Sequence, residues 1–140
     1  MRESESESLR SVVDELVGRP YETHGRGPSA YNCLGVMLAI FRRVAGVELP
    51  DALVVDEAEL ADLRSRFFEL ASLAELEPLD VLLKRAQGDE KLAFRTPELA
   101  VVESGRDAVT AVHGRRVQRV RVRDFARPGV RAYRLKGATA

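Results

Sequence analysis

The chain has 140 residues, 45% of them hydrophobic, which suits one domain with a single packed core and argues against wholesale disorder. Basic and acidic residues balance at 22 each, so the net charge does not point to nucleic acid. The only cysteine, Cys33, excludes an intramolecular disulfide and a zinc site of several cysteines. The acidic start is unlike a signal peptide and predicts a cytoplasmic protein, or one exported without a cleavable signal.

Helices are predicted in the first half of the chain. Apolar residues at helical spacing predict a first helix over 8–17, after a disordered tail at 1–7. A loop rich in glycine and proline, 20–30, leads into a strongly apolar second helix over 33–45. An amphipathic pattern predicts a third helix over 57–72.

Short apolar runs separated by turn residues follow Pro78 and are typical of strands joined by hairpins. Helices first and antiparallel strands second predict an α+β domain, and no linker divides residues 8–140. The second helix is expected to pack on the sheet. The runs cover 79–83, 99–102, 108–112, 117–122 and 130–135.

The most informative stretch is 21–51, which reads YETHGRGPSAYNCLGVMLAIFRRVAGVELPD. The stretch opens with a tyrosine and a glycine pair, followed by an aromatic residue, an amide and the cysteine. The helix that follows closes on glycine, an aliphatic residue, leucine and proline. This arrangement resembles the signature of the NlpC/P60 family of papain-like cysteine peptidases, whose fold packs N-terminal helices on a C-terminal antiparallel sheet. The matching residues are Tyr21, Gly25, Gly27, Tyr31, Asn32, Cys33, Leu34, Gly35, Gly46, Val47, Leu49 and Pro50.

Cys33 is the candidate nucleophile. A thiol at a helix N-terminus lies near the positive end of the helix dipole and near unpaired N–H groups, which favour the thiolate. Gly35, on the first turn, permits close approach of another backbone. The resemblance also implies that Tyr21, Tyr31 and Asn32 belong to the binding site, although Tyr21 would serve equally well by packing against the helix. The alternative for Cys33 is a structural thiol buried in an apolar helix.

The histidine that activates the thiol in this family is harder to place. With Gly105 as the hairpin glycine, the resemblance puts Glu98 at the position of the base and Thr110 at that of the orienting residue. A carboxylate beside a thiolate opposes its ionisation, so Glu98 is a poor substitute. The alternative bases are the two histidines, His24 in the loop and His113 in an apparent turn, where it would otherwise be a solvated residue.

Arginines alternate with valines at Arg119, Arg121 and Arg123. This period of two is typical of the solvated face of a strand. An acidic or nucleic-acid partner is the alternative, but no aromatic platform accompanies the arginines, and nucleic acid is not the expected partner.

The resemblance implies a domain that retains Cys33, lacks the usual histidines, and binds a peptide such as a peptidoglycan fragment or serves in a larger protein assembly, for example a phage tail. An active cysteine endopeptidase or amidase that cleaves peptidoglycan stem peptides is the first alternative, and a purely structural interaction protein is the second. No cofactor, metal or membrane partner is expected. The virion and the cell envelope are the alternatives to a cytoplasmic location.

Overall fold

The computed structural model describes residues 8–23, 25–50, 61–62, 65–84, 98–111, 115–125 and 130–137. Its helices are α1 (Leu9–Leu16), α2 (Cys33–Ile40), which continues as a π-helical turn (Phe41–Ala45), and α3 (Val122–Phe125). Its strands are β1 (Phe67–Glu69), β2 (Val81–Lys84), β3 (Glu98–Val102), β4 (Asp107–Ala111), β5 (Val117–Arg121) and β6 (Val130–Leu135). Within these ranges no helix is long and apolar enough to cross a bilayer.

The strands form one antiparallel sheet in the order β1-β6-β2-β3-β4-β5. Sequential hairpins connect β3 to β4 and β4 to β5, while β6 returns to lie between β1 and β2. The predicted α+β architecture, with helices first and an antiparallel sheet second, is therefore confirmed.

The first two helices begin and end near the predicted residues. In α1, the Ser8 side chain accepts a hydrogen bond from the backbone N–H of Ser11, which caps the helix. The α1 face formed by Val12, Val13 and Leu16 is buried, as its helical spacing predicts. Cys33 is the first residue of α2, so the predicted place of the thiol at a helix start is confirmed.

The predicted helix over 57–72 is wrong in its second half, because Phe67–Glu69 form the edge strand β1. Residues 51–60 and 63–64 lie outside the described part of the chain. The β1 backbone pairs with β6, and the Phe67 ring packs edge-to-face on Phe41 with centroids 5.8 Å apart. This tertiary contact and the strand preference of aromatic residues outweigh the helical spacing of the sequence.

The two faces of the sheet pack against different helices. On one face, Val101, Val109 and Ala111 belong to the buried cluster that contains α1 and α2 side chains. On the opposite face, Ala108 packs in a second cluster with Phe125 of α3. Since successive strand residues alternate between faces, the odd-numbered positions of β3 and β4 are the ones that face α2.

Arg119 and Arg121 of β5 are exposed and engaged within the chain, whereas Arg123, predicted to continue their alternation, lies in α3. Arg119 forms ion pairs with Asp14 of α1 and with Glu103, which follows β3. Arg121 lies 3.8 Å from Asp107 across the β4–β5 pair. Such exposed pairs contribute little stability individually, and they account for part of the basic stripe without an external partner.

Candidate active site

The segment that precedes Cys33 is anchored to the start of β5. The backbone N–H of Tyr21 donates to the Arg115 carbonyl at 3.1 Å, and that of Val117 donates to the Arg19 carbonyl at 2.8 Å. Val117 pairs in turn with Ala111, the last residue of β4. The loop therefore lies beside the end of the sheet where β3 begins and β4 ends.

Close backbone contacts fold this loop onto the start of α2. The Asn32 N–H donates to the Gly25 carbonyl at 3.1 Å, and the Tyr31 N–H donates to the Pro20 carbonyl at 3.0 Å. A Cβ added to Gly35 would collide with the carbonyl oxygen of Gly25. The close approach predicted at Gly35 is therefore confirmed, and the glycine is needed because the loop backbone occupies the space of a side chain.

Gly35→Ala should destabilise the domain by about 1–3 kcal/mol, because the added methyl group has to displace backbone rather than a flexible side chain. Gly105→Ala is the matched control, since nothing lies within 4 Å of a Cβ at that position. Urea unfolding of both variants measures the difference. Equal midpoints would show that the loop moves aside from Gly35 at no cost.

Asn32 holds the beginning of α2 through both ends of its side-chain amide. Its Oδ1 accepts hydrogen bonds from the Gly35 N–H at 2.7 Å and from the Arg26 guanidinium at 2.8 Å. Its Nδ2 donates to the Thr23 carbonyl at 2.9 Å. Arg26 also donates to the Gly25 carbonyl at 3.1 Å. Asn32 is thus a helix cap that ties the loop to the Cys33 turn.

Tyr21 interacts electrostatically with the Cys33 thiol. Burial raises the pKa of Tyr21 above its ordinary value, and the charge interaction with Cys33 raises it further. The tyrosine side chain also packs against the core cluster that contains α2. The two interpretations of Tyr21 are therefore compatible, because one side chain packs on the helix and approaches the thiol, which is itself partly exposed.

Tyr31, expected in the binding site, is only 6% exposed. A Cβ on Gly27 would lie 2.5 Å from atoms of the Tyr31 ring, so the ring is packed directly beneath the loop. Tyr31 consequently fixes the loop against the core, and its small exposed part lines the pocket formed by α1, α2 and the loop.

Thr110 is buried, and strand alternation places it on the face of the sheet opposite α2, with Ala108. Its hydroxyl donates to the Leu99 carbonyl at 2.6 Å, so its hydrogen-bonding capacity is used within the sheet. The sequence alignment assigns the orienting position to Thr110, but in the structure the Thr110 side chain lies on the face of the sheet away from α2 and Cys33. The physical reason is a shift of one residue, which reverses the face of a strand side chain.

The positions of β3 and β4 that do face α2 at this end of the sheet are Leu99 and Ala111. Val101 pairs with Val109, and two residues further the same register sets Leu99 opposite Ala111. Ala111 belongs to the buried cluster with α2, and Leu99 packs against it. Neither side chain can accept or donate a proton.

The structure does not describe the side chains of the other candidate bases. Glu98 begins β3, where its backbone pairs with Lys84, but the structure does not describe its side chain. His24 and His113 both lie outside the described ranges. Sequence reasoning missed Leu99 and Ala111, which a one-residue shift of the hairpin alignment would have found, and it missed Arg26, for which the sequence carries no motif.

Solved NlpC/P60 domains have a similar fold. The NlpC/p60 domain of the peptidoglycan hydrolase SagA superposes with a TM-score of 0.65 at 19% identity, covering 91% of this chain and 97% of that one. NlpC2 from Trichomonas vaginalis superposes with a TM-score of 0.64 at 16% identity, covering 91% of this chain and 45% of that one. A lipoprotein-like NLP/P60 family protein from Staphylococcus aureus superposes with a TM-score of 0.61 at 18% identity, covering 94% of this chain and 42% of that one.

These likenesses show that the chain has the NlpC/P60 fold, the α+β papain-like architecture that the motif around Cys33 predicts. The chain spans less than half the length of the Trichomonas and Staphylococcus proteins. Neither a protein-family model nor a curated protein matches the sequence.

Proposed function

We propose that this NlpC/P60-like domain binds a peptide at the Cys33 end of α2 and cleaves it slowly or not at all. One of its structural neighbours is a peptidoglycan hydrolase, so the proposed ligand is a peptidoglycan stem peptide or a peptide of similar chemistry. A binding role in a larger assembly is compatible with the same cleft.

The observation that carries this proposal is the apolar character of the strand positions that face α2. A cysteine peptidase needs a group that takes the thiol proton and then returns a proton to the leaving amine. Where this end of the sheet faces α2, the domain presents Leu99 and Ala111. A helix N-terminus helps to form a thiolate and to stabilise an oxyanion, but it cannot supply the proton.

The features that remain are suited to binding. Cys33 is partly exposed, and it interacts electrostatically with the phenol of Tyr21. A phenol is protonated at neutral pH, and the raised pKa of Tyr21 keeps it so; we propose that its O–H donates to a peptide carbonyl or carboxylate. The Asn32 network holds the loop and the helix start in one arrangement before any ligand arrives.

A second candidate is a working amidase whose base is His24. The observation in its favour is that both chain neighbours of His24 are bonded to Asn32, through the Thr23 carbonyl and the Gly25 carbonyl. His24 therefore belongs to a segment tied to the residue before the thiol. In this candidate the imidazole comes from the loop instead of from the sheet.

Turnover and binding of a γ-D-glutamyl stem peptide separate the candidates. We expect saturable binding, with hydrolysis about a hundredfold to ten-thousandfold below that of the SagA domain, because the described strand positions that face α2 at this end of the sheet offer no general acid–base group. Hydrolysis at the rate of the SagA domain that Cys33→Ala abolishes would contradict the proposal, and its loss in His24→Ala or in His113→Ala would identify the base. Absence of both binding and cleavage would favour the purely structural interaction protein.

A further inference from the structure

On the side of the loop that carries Arg26, α1, α2 and the loop enclose a pocket of about 260 Å³, called the arginine pocket here. Four arginines line it, Arg19, Arg26, Arg42 and Arg43, against one acidic residue, Glu15. Cys33 does not line this pocket. It is therefore separate from the proposed peptide site, although Arg26 belongs to both surroundings through its bond to Asn32.

The positive charges of the pocket exceed the negative charge that its own lining residues supply. Glu15 is engaged by Arg43 in an ion pair. Arg26 is turned toward Asn32 and the Gly25 carbonyl. Arg19 and Arg42 form no side-chain hydrogen bond or ion pair with any described residue, and both are exposed. Two exposed arginines thus line one cavity, and no described residue occupies their guanidinium donors.

We propose that the arginine pocket binds a phosphate group. The planar guanidinium fork matches the oxygens of phosphate and carboxylate in pairs. Because the lining carries a surplus of three positive charges, a phosphate dianion neutralises more of it than a carboxylate does. Arg19 and Arg42 are the residues that would hold the group, while the pair of Arg43 with Glu15 fixes one wall.

The test is a titration of the full chain with inorganic phosphate at constant ionic strength, followed by NMR through the backbone amide resonances of Gly27 and Arg43. We expect a saturable shift, with affinity about tenfold weaker in the double variant Arg19→Gln, Arg42→Gln, because charge-assisted hydrogen bonds are lost. The matched control is Arg10→Gln, Arg131→Gln, which removes two exposed arginines outside the pocket and should bind as the native chain does.

Shifts that do not saturate, or an equal loss of affinity in the control, would overturn the proposal. Acetate saturating the same resonances as tightly as phosphate would overturn the assignment to phosphate. Glucose 6-phosphate separates the two sources of the group: tighter binding than inorganic phosphate identifies a phosphate monoester, and weaker binding identifies the free ion. Single substitutions of Arg19 and Arg42 keep the test decisive if the double variant does not fold.

Discussion

Leu99→His should raise the rate at which the domain cleaves a γ-D-glutamyl stem peptide by about a hundredfold, the lower end of the usual contribution of a general acid–base group. Leu99 packs against the cluster that contains α2, at the end of the sheet to which the loop before Cys33 is anchored. We expect an imidazole at this position, which faces α2, to reach the thiol, take its proton and return it to the leaving amine.

Glu98→His is the matched variant, because it installs the same side chain one residue earlier, at the position that the sequence alignment favours. It should produce no comparable gain. Adding Cys33→Ala to Leu99→His should abolish the new activity, and circular dichroism checks that each variant folds. A gain from Glu98→His without one from Leu99→His would show that the alignment through Glu98 and Thr110 is correct. No gain from either would contradict the proposal that the apolar side chain at position 99 limits turnover.

Phe41→Ala should cost about 3–5 kcal/mol of unfolding free energy, the usual cost of emptying the site of a fully buried phenylalanine. Phe41 is 0% exposed and begins the π-helical turn that continues α2. Its ring meets Phe67 edge-to-face, so the substitution also removes the contact that joins α2 to the edge strand β1. Unfolding in guanidinium chloride, followed by circular dichroism, measures the change.

Phe68→Ala is the control, since Phe68 lies next to Phe67 in β1 but is 43% exposed. Its substitution should change stability by no more than about 0.5 kcal/mol. A cost below about 1 kcal/mol for Phe41→Ala, or equal costs for the two variants, would mean that the contact between Phe41 and Phe67 does not hold β1 in place.

Local signals explain why α1 and the beginning of α2 were predictable. Helical spacing with a serine cap determines α1, and the loop, cysteine and glycine pattern determines where α2 begins. Gly35 carried a specific expectation, a close backbone approach, which the packing of Gly25 against it confirms. Each of these features depends on neighbours within a few residues, which a single sequence contains.

Features that depend on distant partners were not predictable. Phe67 has helical spacing with its neighbours, and only its pairing with β6 and its contact with Phe41 make it part of a strand. The alignment of the β3–β4 hairpin was uncertain by one residue, which decides whether Leu99 or Glu98 is assigned to the face toward α2. The bond from Arg26 to Asn32 arises from the fold of a loop that no periodic pattern describes.

The pH dependence of Cys33 alkylation tests most directly the proposal that the domain has no working cysteine–histidine pair. Cys33 is the only cysteine, so iodoacetamide reports on this one group. A cysteine paired with histidine has a pKa several units below that of an ordinary thiol, so it remains a thiolate at low pH. We predict a rate that rises through one ionisation and is the same in the native chain, in His24→Ala and in His113→Ala. A fast rate that persists to about pH 5 and disappears in either histidine variant would contradict the account and establish a working cysteine–histidine pair.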